Sequence, residues 1–183
     1  MAMSTKQVQL QVVELPPGVT ASLAGRTLSV KGKLGEAKKH FDKVNVNLTV
    51  EGNKVSISPF SLKKKDNVIV NTVMSLVNNM VTGVSTGYTY RLKVVYAHFP
   101  ISVKTKGDEI HVENFVGERS PRVAKIVGGC KVSIEGDDII VKGVSVEDVG
   151  QTAANVELAT KIKRKDQRIF LDGVYIYQKG EGF

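Results

Sequence analysis

Tryptophan is absent from these 183 residues, and cysteine occurs once, as Cys130. The lone thiol excludes an internal disulfide and any zinc site built from several cysteines. Aromatic side chains are scarce, six Phe and five Tyr, which argues against recognition by stacking a long run of single-stranded bases. No unbroken apolar run approaches the roughly 18 residues of a membrane-crossing helix. The start, Met1 to Gln11, is polar and lacks the apolar centre of a signal peptide. The expectation is a chain that stays in a reducing cytoplasm and has no membrane partner. Acidic residues are also short: 18 Asp and Glu face 26 Lys and Arg, giving a net charge of +8 and a pI near 9.5. A pI above about 9 is the usual electrostatic footprint of a nucleic-acid binder, although a soluble protein with no polyanionic partner can be this basic too. With 42% hydrophobic residues, the chain can bury an ordinary core.

Catalytic patterns are missing as well. There is no Walker-type phosphate loop, and no dinucleotide fingerprint follows a strand. His40, His98 and His111 are far apart and have no metal-ligand spacing. His111 reads as a sheet-surface residue inside a hairpin strand. Cys130, opening a strand after Gly128-Gly129, reads as a small buried residue, since no local signature makes it a nucleophile. Asp137-Asp138 reads as a solvated turn tip. No enzyme, cofactor, metal or small-molecule substrate is expected.

What is present is a repeat. Leu28–His40 (LSVKGKLGEAKKH) and Ile110–Arg122 (IHVENFVGERSPR) share an alternating strand, a Gly-Glu pair and a basic loop; Gly35 and Gly117 are 82 apart. Val46–Ile57 (VNLTVEGNKVSI) resembles Cys130–Val141 (CKVSIEGDDIIV), with Glu51 and Glu135 84 apart. An amphipathic helix follows each. The fold class expected is therefore α+β: two tandem copies of a small domain, residues 1–84 and 85–183, each with antiparallel strands packed around one helix.

Within each copy, hairpins are predicted around Gly25 and Gly107, and again at Glu51-Gly52-Asn53-Lys54 and Glu135-Gly136-Asp137-Asp138. The first helix is predicted from Asn67 to Thr82, capped by Asp66 and ended by Gly83, with Gly83–Gly87 as the join between copies. The second is predicted from Val146 to Ile162, with a capping box from Ser145 to Asp148. Tyr88–Tyr96 alternates as a strand. Gly32-Lys33-Leu34-Gly35 matches the Gly-x-x-Gly loop that joins two helices in KH domains, but it follows a strand and reads as a flexible basic loop.

The charge is unevenly divided. Residues 1–82 carry 11 basic and 5 acidic groups, and residues 83–183 carry 15 and 13. Arginine runs the other way: Arg26 is alone in the first part, while Arg91, Arg119, Arg122, Arg164 and Arg168 lie in the second. The planar guanidinium fork matches phosphate oxygens better than a hydrated ammonium does. Four features are candidates for RNA contact. The first is the loop bearing Arg119 and Arg122, with Lys125 behind it. The second is the cluster Lys161, Lys163, Arg164 and Lys165, which exceeds what a helix C-terminus needs to offset its dipole. The third is Arg168 and Lys179, bracketing the tail Ile169–Tyr177. The fourth is Lys63-Lys64-Lys65, for which a solvated run before a helix is an equally good account.

These residues carry a resemblance. The tail Arg168-Ile169-Phe170-Leu171-Asp172-Gly173-Val174-Tyr175-Ile176 resembles the C-terminal signature of the sixth universal protein family of the large ribosomal subunit, in its archaeal and eukaryotic form. Tyr96-Ala97-His98-Phe99-Pro100 and Phe115-Val116-Gly117-Glu118 are similar to further stretches of it. The resemblance implies two related α+β domains. It implies that the second domain is the main rRNA-binding one, docking on large-subunit rRNA near the sarcin–ricin loop and the factor-binding region. The first would extend toward the stalk base and its ribosomal proteins, with translation factors nearby. By match to the family's pattern, Arg119, Arg122, Lys163, Arg164, Lys165 and Arg168 are its contact candidates, whereas Asp172 and Gly173 shape the tail. The lack of a long basic extension past Phe183 points to an archaeal member. Two other readings stay open on the residues alone: an RNA-binding regulator outside the ribosome, and a small hydrolase using Cys130 or a histidine.

Overall fold

Alternation decides most strands of this chain, because one face of each sheet is buried and the side-chain period is two. A computed structural model describes residues 10–61, 64–163, 165–166 and 168–183, giving the backbone alone at 64 and 65. The chain divides into two units, one through Thr86 and one from Gly87.

The first unit contains β1 (Gln11–Glu14), β2 (Thr20–Ala24), β3 (Thr27–Gly32), β4 (Gly35–His40), β5 (Val46–Glu51), β6 (Lys54–Pro59) and α1 (Lys64–Ser85). They form two antiparallel three-stranded sheets, ordered β1-β6-β5 and β2-β3-β4. Leu28 and Val30 of β3, Val55 and Ile57 of β6, and Val70, Val73, Val77 and Val84 of α1 are buried.

The second unit contains β7 (Tyr88–Val95), β8 (Ser102–Lys106), β9 (Glu109–Glu113), a 3-10 turn (Phe115–Gly117), β10 (Arg122–Lys125), β11 (Lys131–Glu135), β12 (Asp138–Gly143), α2 (Val146–Ala159) and β13 (Gly173–Glu181). Its sheets are ordered β10-β9-β8 and β11-β12-β7-β13. Leu92, Ile139, Val141, Val149, Ala153, Val156 and Val174 form the main core. At the start of α2, the Ser145 side chain accepts a hydrogen bond from the Asp148 amide, as the capping pattern predicts.

The two units repeat each other down to single hydrogen bonds. The Leu15 amide donates to the Asn53 carbonyl, and the Val94 amide to the Asp137 carbonyl; the Phe41 amide donates to Arg26, and the Ile126 amide to Asp108. Each pair of bonds joins corresponding strand ends. The second unit then adds β13, which pairs with the free edge of β7. The α+β class and the tandem antiparallel arrangement are as expected.

The details differ in several places. Helix α1 begins at Lys64 and continues through Gly83 to Ser85. Gly83 is buried inside the helix and does not stop it, because Val81 and Val84 on either side are buried and outweigh the roughly 1 kcal/mol glycine penalty. The segment Gly83–Gly87 is therefore mostly helix, turning only at Gly87, whose φ is 82°. Asn, Ser and Thr interrupt the apolar residues of α1, yet Asp66–Ser85 has a mean hydropathy of 1.3 and is long and apolar enough to cross a membrane by length and composition. Its buried valines serve the core of the first unit instead. Helix α2 ends at Ala159, so Ile162 packs from the segment after the helix. Strands β4 and β10 replace the expected basic loops; they are edge strands, set by pairing with β3 and β9 more than by their own pattern. The Lys33-Leu34 turn is docked, with the Leu34 amide donating to the Val84 carbonyl and no room for a side chain at Gly32.

Truncating Ile139, which is fully buried, to Ala should lower unfolding free energy by about 3 kcal/mol. Ile169→Ala, at a residue 66% exposed, should stay within about 0.5 kcal/mol. Urea unfolding of both variants measures this.

Candidate nucleic-acid interface

Phe115, fully buried in the turn after β9, is the centre of a second, smaller core with Val112 and Ile162; Ile101, Val103, Val116 and Phe170 pack against it. Four separate segments meet there: the loop after β7, the loop between β9 and β10, the end of α2, and the tail before β13. Three of the four carry the basic residues singled out in the sequence.

The β9–β10 loop is held in an uncommon backbone. Asn114, Val116 and Gly117 have φ of 57°, 54° and 76°. For a β-branched residue such as Val116 that conformation is costly and needs support from its surroundings. The support is visible. Asn114 Nδ2 donates to the Pro100 carbonyl at 2.9 Å, the Glu118 amide donates to Phe115 at 3.0 Å, and the Phe99 ring lies 3.3 Å from where a Cβ on Gly117 would stand.

Arg122 ties this loop to the helix end. Its Nε and Nη2 donate to the Glu118 carboxylate at 2.8 and 2.6 Å. Its Nη1 donates to the carbonyls of Ala159 and Lys161 at 2.9 and 3.1 Å. Its guanidinium lies 4.3 Å from the Phe115 ring centre. Arg122 thus satisfies carbonyls that the end of α2 leaves open. The paired guanidinium holds the Glu118 carboxyl below its ordinary value, against a smaller opposing effect of burial.

Arg119 differs. It is exposed, and no hydrogen bond or ion pair holds its side chain among the described residues. Lys161 and Lys163 are likewise exposed and their ammonium groups have no described partner. Lys165 is exposed, with Nζ 4.3 Å over the Phe170 ring, and Arg168 is exposed beside Asp166, which accepts its backbone amide. Arg164 and Lys63 lie outside the described residues. Lys125 ends β10, where its carbonyl accepts from Asn155 of α2. Lys179 is six residues along β13 from Gly173, about 20 Å away, with Nζ 5.7 Å from the Tyr90 ring. The structure therefore brings Arg119, Arg122, Lys161, Lys163, Lys165 and Arg168 around one small core and leaves Lys125 and Lys179 outside it.

The tail is fixed by Asp172, whose side chain is fully buried. Its carboxylate accepts from the Ala97 amide at 2.9 Å, the His98 amide at 3.4 Å and His98 Nδ1 at 3.2 Å. Burial by itself would raise its pKa, but these donors prevail and hold the carboxyl below the ordinary value. Thr160 completes the joint: its Oγ1 accepts the Val174 amide at 3.0 Å. A cleft of about 380 Å³ lies between the helix end and the tail, lined by Leu158, Ile162, Phe170 and Tyr175 with Glu157 and Lys161. His98 and Asp172, 74 residues apart, could not be paired from spacing. Only the resemblance of both stretches to one family marked them.

No group of three or more His, Cys, Asp or Glu among the described residues could hold a metal. Burial, assisted by Asp148, raises the Cys130 thiol above its ordinary value, and Thr152 only partly offsets this; a thiol so placed is a poor nucleophile. His111 is half-buried, with Nε2 3.3 Å from Glu109, and not a surface residue.

A duplicated α+β fold with a basic face on its second unit is the class these observations define. A family model described as ribosomal protein L6 matches residues 15–87 and again 99–173. The chain is 47% identical over 181 residues to a protein of Archaeoglobus fulgidus named large ribosomal subunit protein uL6, covering 96% of this chain and 92% of that one. It is 45% identical over 168 residues to the protein of that name in Aeropyrum pernix, covering 91% and 92%, and 43% identical over 172 residues to that of Methanocella arvoryzae, covering 93% and 97%. The chain belongs to the ribosomal protein L6 family, whose members are structural parts of the ribosome and not enzymes. Its archaeal type and cytoplasmic, ribosomal setting agree with these relatives.

Arg122→Ala should lower unfolding free energy by about 2 kcal/mol, because carbonyls at the helix end and the Glu118 carboxylate lose their donors. Arg119→Ala should leave it unchanged within about 0.5 kcal/mol. Thermal unfolding of the two variants is the check. Because the folded-state pKa of Asp172 is lowered, its carboxylate stabilises the fold above the ordinary value of 3.8. That contribution disappears as pH falls through the lowered folded value. A pH series of unfolding midpoints should show a shallower acid slope in Asp172→Asn.

Proposed function

We propose that this chain is a constituent of the large ribosomal subunit and binds large-subunit rRNA chiefly through its second unit, near the sarcin–ricin loop and the factor-binding region. One observation carries the reading: Arg119, Lys161, Lys163 and Arg168 are exposed, without described side-chain partners, and gathered around the Phe115 core. Lys165 joins them from above Phe170, and Arg164 belongs to the same stretch of sequence. Lys125 and Lys179 are outer contacts. Arg122 acts by holding the loop that presents Arg119. The first unit extends toward the stalk base and its ribosomal proteins, with translation factors nearby.

The mechanism is electrostatic docking with recognition of shape. Lys and Arg displace counterions condensed on phosphates. Base edges in A-form helices are largely hidden, so sequence is read little. A rigid basic surface holds rRNA helices in place and transfers no bonds.

Large subunits washed at moderate salt and sedimented should retain this chain; its absence from them would refute the ribosomal assignment. With about six phosphate contacts, the logarithm of the rRNA binding constant should fall with that of salt at a slope of about −4 to −5, and Arg168→Ala should reduce the slope by about one. Filter binding over a salt series measures both.

A further inference from the structure

His98 stands among these cations but offers different chemistry. Its side chain is 37% exposed, and its ring stacks on Phe170 with centroids 4.7 Å apart and planes at 27°. Lys165 Nζ lies 4.3 Å from the centre of the same Phe170 ring. The imidazole is therefore held flat in a fixed orientation against a ring that an exposed ammonium also contacts.

Asp172 decides which nitrogen of the ring carries hydrogen. An ionised carboxylate only accepts, and this one already receives the amides of Ala97 and His98. Nδ1, at 3.2 Å, must then be the donor. In a neutral imidazole the other nitrogen, Nε2, is left with a lone pair and acts as an acceptor. Nε2 has no partner among the described residues.

An acceptor in this place cannot bind phosphate, which in its ionised form has no hydrogen to give. Lys and Arg have the reverse limitation: they donate to phosphates, which RNA and DNA share. The group that RNA has, that can donate, and that lies beside its phosphates is the ribose 2′-hydroxyl. We infer that His98 is an RNA-contacting residue whose Nε2 accepts a hydrogen bond from a ribose 2′-hydroxyl, with Asp172 as the positioning residue that fixes the ring and its tautomer. This rests on the rRNA-binding reading above and adds to it the one contact in the cluster that tells RNA from DNA.

The test uses the full chain at pH 8 and transcripts of the organism's large-subunit rRNA carrying sparse 2′-deoxy phosphorothioate nucleotides. Bound and unbound pools are cleaved with iodine to find positions where a missing 2′-hydroxyl prevents binding. The wild-type chain should show at least one such position that His98→Asn loses. Asn keeps an N–H where Nδ1 stood, and so keeps the Asp172 bond, but has no acceptor at the place of Nε2. Affinity should fall about fivefold, the size of one neutral hydrogen bond, with an unchanged salt slope. His98→Phe, which keeps the stack on Phe170, should lose the same position and decides the matter should the Asn variant fail to fold. Interference maps identical in the wild type and the folded variants would overturn the role of His98 while leaving rRNA binding intact. Failure of the wild-type chain to bind the unmodified transcript would overturn the underlying reading instead.

Discussion

The burial of Phe115 is the constraint on which the basic face depends. Its ring sits in the second unit's small core within a tight turn, and on either side of it Asn114 and Val116 take left-handed backbone. Arg122 then covers the ring and reaches both Glu118 and the last carbonyls of α2. One aromatic side chain thus fixes the loop, the loop fixes Arg122, and Arg122 fixes where the helix end presents Lys161 and Lys163. An exposed cation gains little from its own neighbours; its position here is set by the hydrogen-bonded loop and helix end behind it.

Duplication explains the rest. Both units use the same strand pairings, helix placement and joining hydrogen bonds. The second diverges by extending the chain past its helix, through Ile162, Phe170 and Asp172, into β13 on the free edge of β7. The extension covers that edge, which would otherwise expose unpaired backbone. It also carries the tail residues that gather at the small core. The first unit has no such extension after α1. Its larger positive charge lies in Lys31, Lys38 and Lys54, which are engaged with Glu36 and Glu14, in cations spread between and along its strands such as Arg26, Lys33, Lys39 and Lys43, and in the run Lys63-Lys64-Lys65.

Much of this was legible beforehand, for identifiable reasons. The hairpins at Gly25, Gly52, Gly107 and Gly136 were readable because each turn requires a positive φ that glycine supplies at no cost. The α2 start was readable because Ser145 and Asp148 act locally. Strands β4 and β10 were not, since their residues alternate weakly and are held by partners. The end of α2 is not legible either, because it is held from elsewhere in the chain, Val174 donating to Thr160 and Arg122 to the carbonyls of Ala159 and Lys161.

By itself the sequence determined that this is a basic, tandemly repeated α+β chain whose second copy holds the arginines. Those properties depend on composition and on patterns within a few residues of each other. Tertiary structure alone decided which cations are available. It committed Arg122 to the fold, left Arg119 three residues earlier without a side-chain partner among the described residues, and joined His98 to Asp172. Such roles depend on distances across the fold, and residues of one type and charge are indistinguishable until folding gives some of them partners and leaves the others facing solvent.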